Sequence, residues 1–158
     1  MNIWIIYDST EPNLQILSEK LADFLDKKFN VNVANSRKIK SSIILDEDPE
    51  ILIFGISLYE GDSSLDNIKN WITNLNIKSK TTPIKISQVF NFGIGKGNIV
   101  EKEHSWQGFL LNYYKPHQIT RKLFLLKDKE FNGIFTHEQE KAIVDYSKYI
   151  INKIHKIK

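Results

Sequence analysis

Three short stretches of this chain are the first places where its residue types could do chemistry. The first is Asp8-Ser9-Thr10-Glu11-Pro12-Asn13, a polar loop between an apolar run and a helical pattern. Loops that open a helix hold anions through free backbone N–H groups. Two residues here work against that: Pro12 has no N–H, and Glu11 brings a like charge. Asp8 and Glu11 also suit acid–base work, or simply cap the helix and face water. The second stretch is Gly55-Ile56-Ser57-Leu58-Tyr59-Glu60-Gly61, where glycines flank a hydroxyl and an aromatic ring. The third is Phe92-Gly93-Ile94-Gly95-Lys96-Gly97, whose glycines allow close approach of backbone to a ligand and whose Lys adds a cation. It is not a dinucleotide fingerprint, because it follows a fourth strand and lacks the spacing to a helix.

Other chemistries find little support. His104, His117, His137 and His155 show no metal-ligand spacing, and His137-Glu138 has Lys141 where a second His should stand. No Gly-x-Ser-x-Gly elbow surrounds Ser9 or Ser57. There is no Cys, which excludes disulfides and thiol redox chemistry. The net charge of +3 is mild, the only arginines are Arg37 and Arg121, and no basic run forms a nucleic-acid patch. Apolar runs of about five residues are too short to span a bilayer. Met1 and Asn2 lead directly into a strand-like run, so no signal peptide is expected and a cytoplasmic location fits.

The elements that position these stretches follow from hydrophobic period. Residues 2–7, 31–34, 50–56, 84–92 and 122–126 read as short apolar strands. Leu14, Leu17, Leu21 and Phe24 mark one amphipathic helix, and Leu65, Ile68, Trp71, Ile72 and Leu75 a second. Ser105 to Tyr114 reads as a helix with Trp106, Phe109 and Tyr113 on one side. That face is either core packing or a flat surface for a quinone-like or protein partner. Ile143, Tyr146, Ile150 and Ile154 mark a last helix, opened by the capping-box pair Thr136 and Gln139. Residues 35–49 read as a connection holding a short helix. Alternating strands and one-sided helices over 158 residues predict one α/β domain covering residues 1–158, a three-layer sandwich with a five-stranded parallel sheet. Ligands of such a sheet bind beyond the carboxyl ends of its strands, where all three stretches lie.

On these residues the chain resembles the flavodoxin-like family, and its layout is similar to the menaquinone-dependent protoporphyrinogen dehydrogenase group within that fold. The resemblance implies FMN as cofactor. The family's first loop resembles Ser-x-Thr-Gly-x-Thr around the FMN phosphate. Ser9 matches its first position, while Glu11, Pro12 and Leu14 stand where Thr, Gly and Thr are expected. Ser9, Thr10 and the N–H of Asn13 are then the donors that remain. In the second loop the resemblance assigns backbone contacts to residues 57–61, including Ser57, Leu58 and Gly61, and stacking on the isoalloxazine to Tyr59. In the third it assigns close approach to Gly93 and Gly95 and ring-edge hydrogen bonds to Asn91 or Asn98. A cation at Lys96 would stabilise the reduced anionic ring and raise its potential.

The function implied is electron transfer, or reduction of a small aromatic or quinone-type substrate, with a redox partner protein or that substrate as partner. Few side chains need be catalytic, because the cofactor carries the chemistry. The basic charge departs from the acidic flavodoxins and implies different partners. Self-association is compatible with the sequence. The alternative, supported by the departures in the first loop, is a flavin-free binding or regulatory module on the same fold.

Overall fold

A computed structural model describes residues 1–9, 12–59, 65–127 and 133–157. In chain order the elements are β1 (Asn2–Tyr7), α1 (Pro12–Leu25), β2 (Asn30–Asn35), α2 (Ser41–Asp46), β3 (Ile51–Tyr59), α3 (Leu65–Lys78), β4 (Gln88–Lys96), α4 (Val100–Leu110), β5 (Ile119–Lys127) and α5 (His137–Ile157). All strand pairs are parallel, in the order β2-β1-β3-β4-β5. The inner strands β1, β3 and β4 are buried along nearly their whole length, as continuous apolar runs require when helices cover both faces. The edge strand β2, Asn-Val-Asn-Val-Ala-Asn, is half covered.

Alternation along the strands divides the interior into two cores. Trp4, Ile6, Leu52, Phe54, Ile56 and Leu58 face α2, α3 and α4, where Ile68, Trp71, Ile72 and Trp106 close over them. Ile3, Ile5, Ile53, Phe90, Phe92 and Ile94 face α1 and α5, meeting Leu17, Leu21, Ile143 and Ile150. The capping box of α5 is formed: the Gln139 N–H donates to Thr136 Oγ1 at 3.1 Å, and the Thr136 N–H donates to Gln139 Oε1 at 2.9 Å.

Four elements depart most from the hydrophobic pattern, among them β5, which runs from Ile119 to Lys127 rather than over 122–126. β3 continues three residues past Ile56, because Ser57, Leu58 and Tyr59 stay paired with Ile94, Gly95 and Lys96 of β4. β4 starts at Gln88 rather than residue 84 and runs through the glycine-spaced stretch to Lys96. α4 spans Val100–Leu110 rather than 105–114. For the strands the reason is shared. Strand limits are set by the neighbouring ladder, and a glycine that ends a strand in isolation is retained where two backbones press together.

Candidate functional site: the carboxyl edge of β1, β3 and β4

A sheet in the order 2-1-3-4-5 reverses direction between its first and third strands, and the carboxyl ends there frame a crevice. Three segments form its rim: the turn from β1 into α1, the end of β3, and the turn from β4 into α4.

At the β1 corner the chain is tied down tightly. The Asp8 N–H donates to the Gly55 carbonyl at 3.0 Å, and Asn35 Nδ2 donates to the Ser9 carbonyl at 2.9 Å. The Asp8 side chain is 2 % exposed. Its Oδ1 accepts three bonds, from Arg37 Nε at 2.7 Å, Asn67 Nδ2 at 2.9 Å and Ser36 Oγ at 3.2 Å. Its Oδ2 is buried and has no hydrogen-bond partner among the described residues. Of the residues assigned here, Ser9 is buried and Asn13 half-buried in the first turn of α1, while Thr10 lies outside the described residues. Leu14 is in the core.

At the β3 corner Ser57 and Leu58 are strand residues and not loop residues. The Leu58 side chain is buried in the α3–α4 core and is not presented to the crevice. Tyr59 ends the strand half-buried, packed against the α1–α5 core, and its carbonyl accepts a bond from Lys102 Nζ of α4. Gly61 lies outside the described residues.

The third stretch is where sequence and structure part most. Asn91 is fully buried in the middle of β4 and meets no crevice. Trp106 Nε1 of α4 donates to its Oδ1 at 3.1 Å, and the Tyr146 hydroxyl of α5 donates to its backbone carbonyl at 2.6 Å. Asn91 thus links the helices on opposite faces of the sheet. Burial pushes the Tyr146 hydroxyl far above its ordinary pKa, against the opposing effect of that hydrogen bond, so it stays protonated and donates. Gly93 is buried as well. A Cβ there would lie 2.6 Å from the Ile56 carbonyl oxygen, so this glycine serves strand packing and not approach to a ligand. Gly95 is packed as closely, with a Cβ meeting the Leu58 carbonyl oxygen at 3.0 Å and Ile99 Cδ1 at 3.1 Å, yet it also lines the cleft beyond the end of β4. Gly97, at φ +81°, makes the turn.

Lys96, by contrast, is exposed at the rim, and the register places it beside Tyr59. Asn98 is exposed too, and its Oδ1 accepts from the Val100 N–H at 3.4 Å at the start of α4. Beyond them lies a cleft of about 530 Å³ between the ends of β4 and β5, lined by Lys96, Asn98, Ile99, Glu103, Leu125 and Lys127 among others. Of the aromatic segment in and after α4, Trp106 and Tyr114 are fully or nearly buried, and Phe109 and Tyr113 pack against that core. This is packing, not a free aromatic face.

Asp8, expected to do acid–base work or to cap the helix and face water, is instead buried, and the sequence does not reveal its cluster with Ser36, Arg37 and Asn67. Its one visible signal was a carboxylate directly after an apolar strand, where burial is costly without a partner. Nothing local announces the partners, which arrive from the turn after β2 and from α3.

No family model matches the sequence, and no curated protein matches it. Solved structures do. Oxidised flavodoxin 2 from Bacillus cereus superposes with a TM-score of 0.70 at 15 % identity, over 97 % of this chain and 99 % of that one. A flavodoxin described as WrbA-like from Agrobacterium tumefaciens gives 0.66 at 13 %, over 99 % of both chains. Rubredoxin:oxygen oxidoreductase from Desulfovibrio gigas gives 0.67 at 14 %, over 99 % of this chain and 36 % of that one. With its 2-1-3-4-5 parallel sheet covered by helices on both faces, the chain has the flavodoxin-like fold.

Proposed function

We propose that this protein binds a flavin of the FMN class across the ends of β1, β3 and β4 and works in electron transfer, or in reduction of a small aromatic or quinone-type substrate. The observation that carries this reading is the pairing of Tyr59 with Lys96 at the rim of the switch-point crevice. An aromatic ring and an exposed cation on adjacent strand ends suit a flat, electron-accepting ring system. Bound flavin supplies one- and two-electron redox chemistry. Tyr59 offers a face for stacking. Lys96 places a positive charge beside the ring and favours electron uptake. Lys102, bonded to the Tyr59 carbonyl, fixes the end of β3 against α4 and so holds Tyr59 in place. The cleft between β4 and β5 gives a small substrate room next to Lys96.

The residues at the ring end of the crevice support this reading; those at the phosphate end do not. Pro12 lacks an N–H, Leu14 turns into the core, and a buried carboxylate stands at Asp8. That corner favours the second reading, a binding or regulatory module without flavin. Absorbance of the protein as purified, followed by flavin titration with fluorescence detection, separates the two. Saturable quenching at one flavin per chain supports the flavoprotein, and colourless protein with no quenching at high flavin supports the module.

A further inference from the structure

We propose that the crevice takes the flavin ring and its sugar chain without the terminal phosphate, so that riboflavin binds at least as tightly as FMN. This rests on the flavin reading above and adds a chemical class to it: a neutral flavin. The position open to a phosphate in this sheet order is the amino end of α1. Only Ser9, Thr10 and Glu11 separate Asp8 from Pro12, where that helix begins. Even fully stretched, the chain from Asp8 to Pro12 spans no more than about 14 Å. That upper bound is less than about two Debye lengths at ordinary salt.

A phosphate dianion placed there meets a corner that already holds an anion. Asp8 keeps its carboxylate buried, takes the Nε of Arg37, and occupies Asn67 Nδ2 and Ser36 Oγ as well. These groups form an anion cradle filled by the chain's own side chain. Arg37 is the one arginine at this edge, since Arg121 stands on β5, and its charge is balanced by Asp8. The second carboxylate oxygen is buried and has no donor among the described residues, so it is an acceptor that a phosphate oxygen could not satisfy. Glu11 adds another acidic residue to the same short loop. Meanwhile Pro12 withholds one helix-start N–H and Leu14 offers methyls in place of a hydroxyl. Moving a dianion out of water into such a corner costs desolvation, and the guanidinium there is already paired with Asp8. The phosphate therefore contributes nothing, and the ring end carries the affinity.

The test is a pair of titrations of the purified protein, with riboflavin and with FMN, followed by flavin fluorescence. The expected result is a ratio of Kd(FMN) to Kd(riboflavin) of one or more. Raising salt from about 50 mM to about 500 mM is expected to tighten FMN binding or leave it unchanged, because screening weakens repulsion. Asp8→Asn, which keeps the shape and removes the charge, is expected to favour FMN relative to riboflavin by roughly tenfold. FMN binding ten or more times tighter than riboflavin, by order of magnitude, and loosening with salt would overturn the proposal while leaving the flavin reading intact. Quenching of neither flavin would overturn both. The salt series on the unaltered protein decides the matter even where Asp8→Asn does not fold.

Discussion

Arg37 Nε donates to Asp8 Oδ1 over 2.7 Å, joining the turn after β2 to the end of β1 at the mouth of the crevice. Asp8 is buried, while the Arg37 side chain is about a third exposed. The two partners are therefore unequal. Removing the arginine strands a buried carboxylate, whereas neutralising the carboxylate leaves only a partly hydrated guanidinium.

Arg37→Ala is accordingly expected to cost about 2–3 kcal/mol of folding stability. Asp8→Asn keeps the bonds from Ser36 and Asn67 and is expected to cost less. Urea unfolding of the two variants checks the order. A larger loss for Asp8→Asn would mean that the cluster does not shield the carboxylate as described.

Gly93 separates packing from ligand contact. Its absent Cβ would sit 2.6 Å from the Ile56 carbonyl oxygen, inside the β3–β4 ladder. Gly93→Ala is expected to destabilise the flavin-free protein by about 1–3 kcal/mol. Thermal unfolding without any flavin reads this directly. An unchanged midpoint would return Gly93 to the role of a ligand cradle.

Asn91 depends on both helices. Trp106→Phe takes the donor from its Oδ1 at a fully buried position and is expected to cost about 2 kcal/mol. Tyr146→Phe removes only a second bond to a backbone carbonyl and is expected to cost about 1 kcal/mol. Denaturant midpoints of the two variants test whether Asn91 is held more from the α4 side than from the α5 side.

Three tyrosines raised by burial, Tyr7, Tyr114 and Tyr146, give the fold an alkaline limit. Burial pushes the Tyr114 hydroxyl up to about 12, against a lowering by its bond with Asn76, and burial raises Tyr146 as well. The unfolded chain releases these protons near pH 10 by the usual value, while the folded chain keeps them, so stability is whole below about pH 10 and falls as pH rises toward about 12. Unfolding midpoints measured across that range should decline. Tyr114→Phe should flatten the decline, and an unaltered slope in that variant would remove Tyr114 as its source.

Tyr59 is the site residue whose loss should matter most for the ring. Tyr59→Ala is expected to weaken riboflavin and FMN alike by about tenfold, as loss of one stacked aromatic contact does. Lys96→Gln should lower the potential of bound flavin more than its affinity. Equal affinities in Tyr59→Ala and the unaltered protein would show that the ring does not stack there.

The sequence by itself determined the α/β class, the five parallel strands, the helix faces and which loops lie at the carboxyl edge of the sheet. These rest on local periods of 2 and 3.6 and on the flanking turn residues, which each segment carries within itself. It also showed Pro12 and Leu14 in the first loop, since a missing N–H and a missing hydroxyl are properties of residue type. Only the tertiary structure decided that Asn91 and Gly93 are core and not rim, because strand length is fixed by the neighbouring ladder rather than by the glycines in the strand. It alone joined Asp8 to Arg37 and Asn67, which stand on three different elements and meet only after the sheet has set its order. Burial and long-range pairing are properties of the assembled sheet. The anion cradle at the β1 corner is one of them, and it appears in no stretch of the sequence read alone.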